Sequence, residues 1–423
     1  MFKTIKILFP ICRSITGPGI KSSLNYFERL VPNFRRVKFR SGIKVFDWKV
    51  PNEWHIKDSY IQDIETKRKY AEFKTNNLHV LNFSSPINKI VRKKELFNHL
   101  YSLKKQPNAI PYVTSYYKKK WGFCISENER KKLKKEKYKV FINSKFKKGT
   151  LDLTHALFPG KSKKEIFFSS YLCHPSMANN ELSGPTVLSE LAKYIEKKTK
   201  LRFSYRFVIL PETIGSICYV KKFFKTLKKR IICGFNISCV GDNGPYSIVE
   251  TRSGNTLADF SLKEIIKNKK NFKRYSYLGR GSDERQYCAP GIDLPVCGFS
   301  RSKYGEYAQY HTSLDNLNFI SEKGLKSSFK TLKKIIDLFE NDYSWYTFPK
   351  TNFKCEPNLG KRNLYYNTSQ KENYKKLSIR KNLITYSDGN KNLKQISKII
   401  NQPIKNILKE LKILVKKGVL KIN

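Results

Sequence analysis

Short, almost uninterrupted apolar runs alternate with stretches of helical periodicity through the middle of the chain. Residues 166–172 (IFFSSYL) and 203–210 (FSYRFVIL) read as strands buried on both faces. Residues 230–240 and 294–299 read as two more. Between them, 185–195, 214–224 and 257–266 repeat apolar residues at helical spacing, and 321–339 reads as a longer helix. This alternation over 148–345 predicts an α/β sheet flanked by helices.

The flanking segments have other textures. Residues 1–45 open on a turn-rich SITGPG, after which Ser22 or Ser23 is expected to cap a short helix. Residues 46–147 hold aromatic and β-forming clusters such as VFDW, AIPYVTSYY and WGFCI, which predict a small β-rich domain. Residues 345–380 are polar and predict an irregular linker. Helical stretches at 393–400 and 404–415 flank Asn401-Gln402-Pro403, and a strand at 419–422 follows Gly418. Pro403 suits a helix start and Gly418 a helix end. Helix–turn–helix–strand is the skeleton of a winged helix, assigned to 346–423.

Composition narrows the class. A chain of 423 residues is too long for one ordinary core, and 39% hydrophobic with 13% aromatic residues excludes a disordered chain. Lys+Arg number 84 against 34 Asp+Glu, giving +50. Such charge suits a nucleic-acid or anionic partner, but the basic residues are scattered, as on solvated faces. The nine cysteines form no CxxC pair, so a disulfide framework is not expected, and reduced thiols point to the cytoplasm. The apolar run ending at Cys12 is broken by Pro10 and closed by Arg13, too short to span a membrane.

Active sites in open α/β sheets lie beyond the carboxyl ends of strands, and ligand-type residues follow all the expected strands. After 166–172 come His174, Asn180 and Glu181. After 203–210 comes Glu212, which suits proton transfer, metal ligation or a helix N-terminal carboxylate. Asp242 follows the third strand, as a ligand or a turn residue. Ser282-Asp283 precedes the fourth, and Tyr310-His311 follows it. Two of only six histidines therefore sit in strand-end polar clusters.

Together these motifs resemble the aminopeptidase side of the zinc exopeptidases over about residues 148–345. His174 matches the first zinc ligand, ANNELSG (178–184) the helix-opening motif and Glu212 the general base. Ser282-Asp283 matches the late Ser-Asp motif, and Tyr310-His311-Thr312 with Asp315 the final ligand region. The whole chain is similar to an aminopeptidase-like family with an inserted β-rich domain and a C-terminal winged helix, some of whose members accompany polysaccharide-biosynthesis genes. The resemblance implies a zinc-exopeptidase-like mixed sheet. It departs where the bridging Asp falls on Asn180, the second Glu on Thr213 and a further Asp near Ser238. One zinc ion is therefore expected rather than two, held by His174, His311, Glu181 and Asp283, with Asn180 and Asp242 as further candidates.

The reaction so implied is metal-assisted hydrolysis of an amide, with Glu212 moving the proton. A peptide N-terminus and an amide on a sugar precursor both suit it. Arg252, Arg285 and Tyr310 are the candidate substrate contacts. The alternative is a non-catalytic protein whose winged helix, with Lys405, Lys409, Lys412, Lys416 and Lys417, meets nucleic acid or protein. One geometric condition separates them: imidazoles 174 and 311 must converge, and ring separation beyond about 8 Å excludes a shared ion.

Overall fold

The computed structural model describes residues 1–368 and 370–422. After a short helix at Phe2–Leu8 come helix α1 (Pro18–Leu30) and strand β1 (Arg35–Arg40), followed by the hairpin β2 (Lys44–Val45) and β3 (Trp48–Lys49). Strands β4 (Glu53–Asp63), β5 (Lys69–Tyr70), β6 (Ile87–Arg92) and β7 (Lys137–Lys147) form a separate antiparallel sheet in the order β5-β4-β7-β6. The predicted β-rich segment is this sheet with its long connections.

The main sheet takes β1 together with β8 (Thr150–Phe158), β9 (Glu165–Tyr171), β10 (Ser204–Leu210), β11 (Ile231–Ile237), β12 (Ser247–Val249), β13 (Lys273–Tyr275) and β14 (Val296–Ser300). Its order is β1-β8-β10-β9-β11-β14-β12-β13. The central strands β10, β9, β11 and β14 run parallel, while β1 pairs antiparallel with β8, β8 with β10 and β12 with β14; the edge strand β13 pairs parallel with β12. Every residue of β9 and β10 is buried, which explains their unbroken apolar texture. Helices α2 (Ser183–Glu196), α3 (Ile214–Arg230) and α4 (Leu257–Ile266) follow β9, β10 and β12, and α5 (Glu322–Asn341) comes after the last strand.

Gly184 has a physical reason. A Cβ there would lie 2.3 Å from Ser170 Oγ and 2.5 Å from the Ile237 carbonyl oxygen. Only glycine lets the start of α2 press this closely on the ends of β9 and β11.

Contacts divide the chain into two compact units, Met1–Lys333 and Lys334–Asn423, with the division inside α5. The second unit holds β15 (Pro349–Thr351), α6 (Lys371–Tyr386), α7 (Leu393–Ile399), α8 (Ile404–Lys416) and β16 (Leu420–Ile422). The two strands pair antiparallel, and Leu383, Leu393, Ile396, Ile407, Leu411 and Leu414 make its core.

Two expectations need correction. The first long helix starts at Pro18, with Gly17 as its cap residue at φ 101, and not at Ser22 or Ser23. Pro18 pre-sets the first turn, and Ser23 Oγ instead donates to the Gly19 carbonyl within the helix. The expected irregular linker contains most of α6. That helix's apolar residues lie mostly in its second half, where Leu383 and Ile384 enter the core, and Arg380 is buried and paired with Glu410 at 2.8 Å, a partner thirty residues away that periodicity does not register.

Inside the main sheet, Arg206 Nε and Nη2 donate to both oxygens of the fully buried Glu165, at 2.6 and 3.0 Å. Arg230 approaches the same carboxylate at 3.5 Å. Removing one partner of a buried pair typically costs about 3–5 kcal/mol. Arg206→Met is expected to lose at least the lower part of that range in urea denaturation; a loss under about 1 kcal/mol would mean that Arg230 alone satisfies Glu165.

Candidate metal and proton-transfer site

The carboxyl ends of β9 and β10 deliver His174 and Glu212 to one cavity of about 510 Å³, which Tyr112, Arg285 and His311 also line. The His174 and His311 rings are 5.2 Å apart between centroids, so the two imidazoles converge. Glu212 Oε2 lies 3.7 Å from His174 Nε2, and Ser282 Oγ donates to Glu212 Oε1 at 3.0 Å. Tyr112 presents its ring edge-on to both imidazoles, at 4.7 and 5.2 Å.

Several backbone turns here are strained. Thr213 sits at φ 65, a conformation that costs a β-branched residue of order 1–3 kcal/mol, and His311 sits at φ 54. Asp283 holds the first turn in place: its Oδ1 accepts from Thr213 N at 2.7 Å and from Ser216 Oγ at 2.8 Å. The His311 carbonyl accepts from Tyr112 N at 2.8 Å. A π-helical turn, Ala178–Leu182, opens α2 and carries Asn180 and Glu181.

Glu181 lies behind His174 rather than in the cavity. Its Oε2 meets His174 Nδ1 at 2.5 Å and its Oε1 accepts from the Cys173 backbone N–H. Both oxygens are thereby engaged, and the pairing leaves His174 Nε2 toward Glu212, as in a metal-ligating histidine oriented by a carboxylate. Arg13, fully buried, donates from Nε to the His174 carbonyl at 3.0 Å. Cys173, His174 and Glu181 offer ligand atoms within 4.8 Å of one another. Burial, with Glu181 and Glu212 nearby, raises the Cys173 thiol well above its ordinary range, so it stays protonated and ligates poorly.

Burial dominates the electrostatics. It lowers His174 to about 3, aided by Arg13, and His311 to about 3, aided by His174. Both are neutral imidazoles with a lone pair to give. Burial raises Glu181 to about 8 against the pull of Arg13, and Asp283 to about 7 against the hydrogen bonds from Thr213 and Ser216. Glu212 is raised well above its ordinary value by burial, then by Asp283 and Glu181.

Four buried polar atoms among these site residues lack a hydrogen-bond partner: the donor Arg13 Nη2, and His311 Nε2, Asn180 Oδ1 and Asp283 Oδ2. Orphaned acceptors of this kind beside neutral imidazoles fit a cation with borderline-soft, nitrogen-preferring chemistry such as zinc.

The other sequence candidates fall elsewhere. Asp242 takes Asn179 Nδ2 at 2.9 Å and Ser302 Oγ at 2.9 Å, which makes it a loop anchor. Arg252 pairs with Asp293 at 3.1 Å, half-exposed and away from the cavity lining. Tyr310 stacks on His311, with centroids 3.9 Å apart. Arg285 reaches Thr213 Oγ1 at 2.7 Å on the cavity wall. Sequence reading missed Arg13, taken only as the end of an apolar run, and Tyr112 and Tyr116, whose run AIPYVTSYY carried only a strand signal.

The family model for a domain of unknown function, DUF4910, matches residues 2–342, and a winged helix-turn-helix model matches 347–422. A Clostridium acetobutylicum protein, named provisionally as a polysaccharide biosynthesis protein with an aminopeptidase-like domain, is 40% identical over 367 residues, or 86% of this chain and 82% of its own. A crystal structure of a provisionally named peptidase from Clostridium acetobutylicum aligns with TM-score 0.80 and 35% identity, covering 100% of this chain and 96% of that one. BSAP, a zinc aminopeptidase from Bacillus subtilis, aligns with TM-score 0.60 at 14% identity over 81% and 94%, a likeness of fold.

The depressed imidazoles set a pH dependence. A histidine whose folded value lies below its unfolded value of about 6.5 stabilises the fold above that pH, and the contribution is lost as pH falls toward the folded value. For His311, folded at about 3, the loss between pH 7 and 4.5 is about 2–3 kcal/mol. In chelator-treated protein, His311→Gln is expected to lose that much less stability than wild type over the interval in chemical denaturation. Parallel losses would show that His311 is not held neutral.

Proposed function

Because the chain belongs to the DUF4910 family, with an aminopeptidase-like fold and a C-terminal winged-helix domain, we propose that it is a zinc-dependent hydrolase of amide bonds. The observation that carries the reading is the pair of neutral imidazoles 5.2 Å apart, with His311 Nε2 unpartnered, beside Glu212. His174 and His311 would hold one ion through Nε2, with Asp283 and Asn180 offering the nearby orphan oxygens. Glu181 serves behind them, fixing His174 by its Nδ1.

Zinc supplies Lewis acidity and a lowered water pKa when bound. The remaining chemistry belongs to this chain's side chains. Glu212, steadied by Ser282, takes a proton on its carboxylate and returns it to the leaving amine. Its raised proton affinity suits the return of the proton, while a bound cation would favour the carboxylate that accepts it. Arg285, at the cavity wall, pairs with an anionic group of the substrate. Tyr112 and the stacked Tyr310 shield the imidazoles from water. A peptide N-terminus and an amide on a sugar precursor are the substrate classes. The free thiols support a reducing, cytoplasmic setting, and among the described residues no helix is long and apolar enough to cross a membrane.

A second reading has its own observation. Neutral Asn180, Thr213 and Ser238 stand where the two-zinc enzymes are expected to carry carboxylates, as in a binding protein that has lost its reaction. Metal analysis with kinetics on aminoacyl amides and N-acyl amino sugars separates the two. Wild type is expected to hold about one zinc per chain, and His174→Ala to lose it. Glu212→Gln is expected to keep the metal while hydrolysis falls by about 10²–10⁴. A metal-free wild type, or Glu212→Gln at full activity, overturns the hydrolase.

A further inference from the structure

The catalytic cavity does not end at its own walls. Trp48 lines both it and a second cavity of about 480 Å³ that Phe46, Ile217 and Phe224 also border. Tyr116 and Tyr117 line both it and a third, of about 580 Å³, formed with Phe83 and Phe146. Ring contacts trace the same path. Phe146 meets Phe83 at 5.2 Å, Phe83 meets Tyr116 at 5.6 Å, and the Tyr116 and Tyr112 hydroxyls lie 2.6 Å apart. Tyr112 then touches both imidazoles. On the other side, Trp48 packs edge-on to Tyr117 at 5.4 Å.

Three cavities meet at the shared walls Trp48, Tyr116 and Tyr117 and form one connected groove, with the imidazole pair lining one of its sections. Its rings are unusually bare: Phe46 is 44% exposed, Trp48 36% and Tyr117 53%. Large aromatic side chains left open next to a site mark a binding surface. The polar groups are distributed along it. Lys118 and Lys119 line the third cavity, which has no acidic lining residue, and Arg285 lines the central one. The chain's +50 charge adds an attractive field for anions.

We propose that this groove binds a linear anionic oligosaccharide that runs past the catalytic section along the Trp48–Tyr117 wall. Flat, exposed rings with hydroxyl groups at their rims take the apolar faces of pyranose units while the rims bond their hydroxyls, and the lysines and arginine pair with carboxylates carried on the chain. A peptide would instead draw on a strand edge or on helix-spaced anchors, and the walls here are ring faces. Trp48 and Tyr117, in edge-on contact where the cavities meet, set the length preference together. The inference rests on the hydrolase reading for the central section, but binding tests it separately.

Titration calorimetry of full-length Glu212→Gln protein with oligogalacturonates from monomer to hexamer reads it directly, beside neutral chito-oligosaccharides and acidic peptides of matching length. Affinity for oligogalacturonates is expected to rise by about tenfold or more, the equivalent of about 1.4 kcal/mol, from monomer to hexamer. Trp48→Ala and Tyr117→Ala should each remove most of that gain without changing monomer binding, and Trp48→Phe should restore part of it. Lys118→Gln with Lys119→Gln should weaken only the charged chains. Length-independent binding, equal affinity for the neutral chains, tighter binding of the peptides, or hexamer affinity unaffected in both alanine variants overturns the proposal. A wild type that hydrolyses no amide yet shows the length-dependent binding would sink the hydrolase reading alone.

Discussion

Asp315 ties the two halves of the site together. Its carboxylate accepts three consecutive backbone N–H groups, from Ala178, Asn179 and Asn180, at 3.1, 2.6 and 2.9 Å, and the Tyr307 hydroxyl at 3.1 Å. These N–H groups belong to the turn that opens α2, where no earlier carbonyl is available to them and an anion is favoured. His174 stands four residues before Ala178 and His311 four before Asp315. One buried carboxylate therefore locks the late loop onto the early strand end and fixes the spacing of the imidazoles. Burial still raises Asp315 to about 6, despite those hydrogen bonds, a measure of how dry this point is.

The same logic governs what was readable beforehand. The central strands and their helices were legible because complete burial leaves an unbroken apolar run and helical spacing leaves a repeat. The strand-end clusters were legible because an open sheet gathers its carboxyl ends on one side. Glu181 was visible as a carboxylate beginning a helix, but sequence has no signal for which way such a side chain points; a π-helical turn aims it at His174 Nδ1. Arg13 and Tyr112 were invisible as site residues because their partners lie 161 and 62 or more positions away. Helix α6 hid for a related reason, since its polar first half carries no periodic signal and part of its anchoring is an ion pair from Arg380 to a distant glutamate.

Neutral residues at 180, 213 and 238 change what the site can hold. Asn180 Nδ2 donates to the Tyr171 hydroxyl at 2.8 Å and approaches Cys239 Sγ at 3.6 Å. An aspartate has no proton to give there, so the asparagine is built into a neutral hydrogen-bond chain. Thr213 takes a strained turn whose backbone N–H is spent on Asp283, and its hydroxyl receives Arg285. Both positions have been drawn into positioning their neighbours. Neutral groups so engaged fit the one-ion reading proposed above better than a bridged pair of ions.

Charge balance presses toward the same end. Glu181, Glu212, Asp283 and Asp315 each have their proton affinity raised by burial, and Glu181 and Asp283 raise Glu212 further. Against them stand the buried Arg13 and, at the wall, Arg285. Four carboxyl groups cannot all ionise in a dry interior beside one fully buried guanidinium without a large cost. A divalent cation between His174 and His311 would relieve that surplus, drawing Glu212 and Asp283 toward their ionised forms while leaving the imidazoles neutral. The orphaned His311 Nε2 and the raised carboxyls would both be met by such a charge.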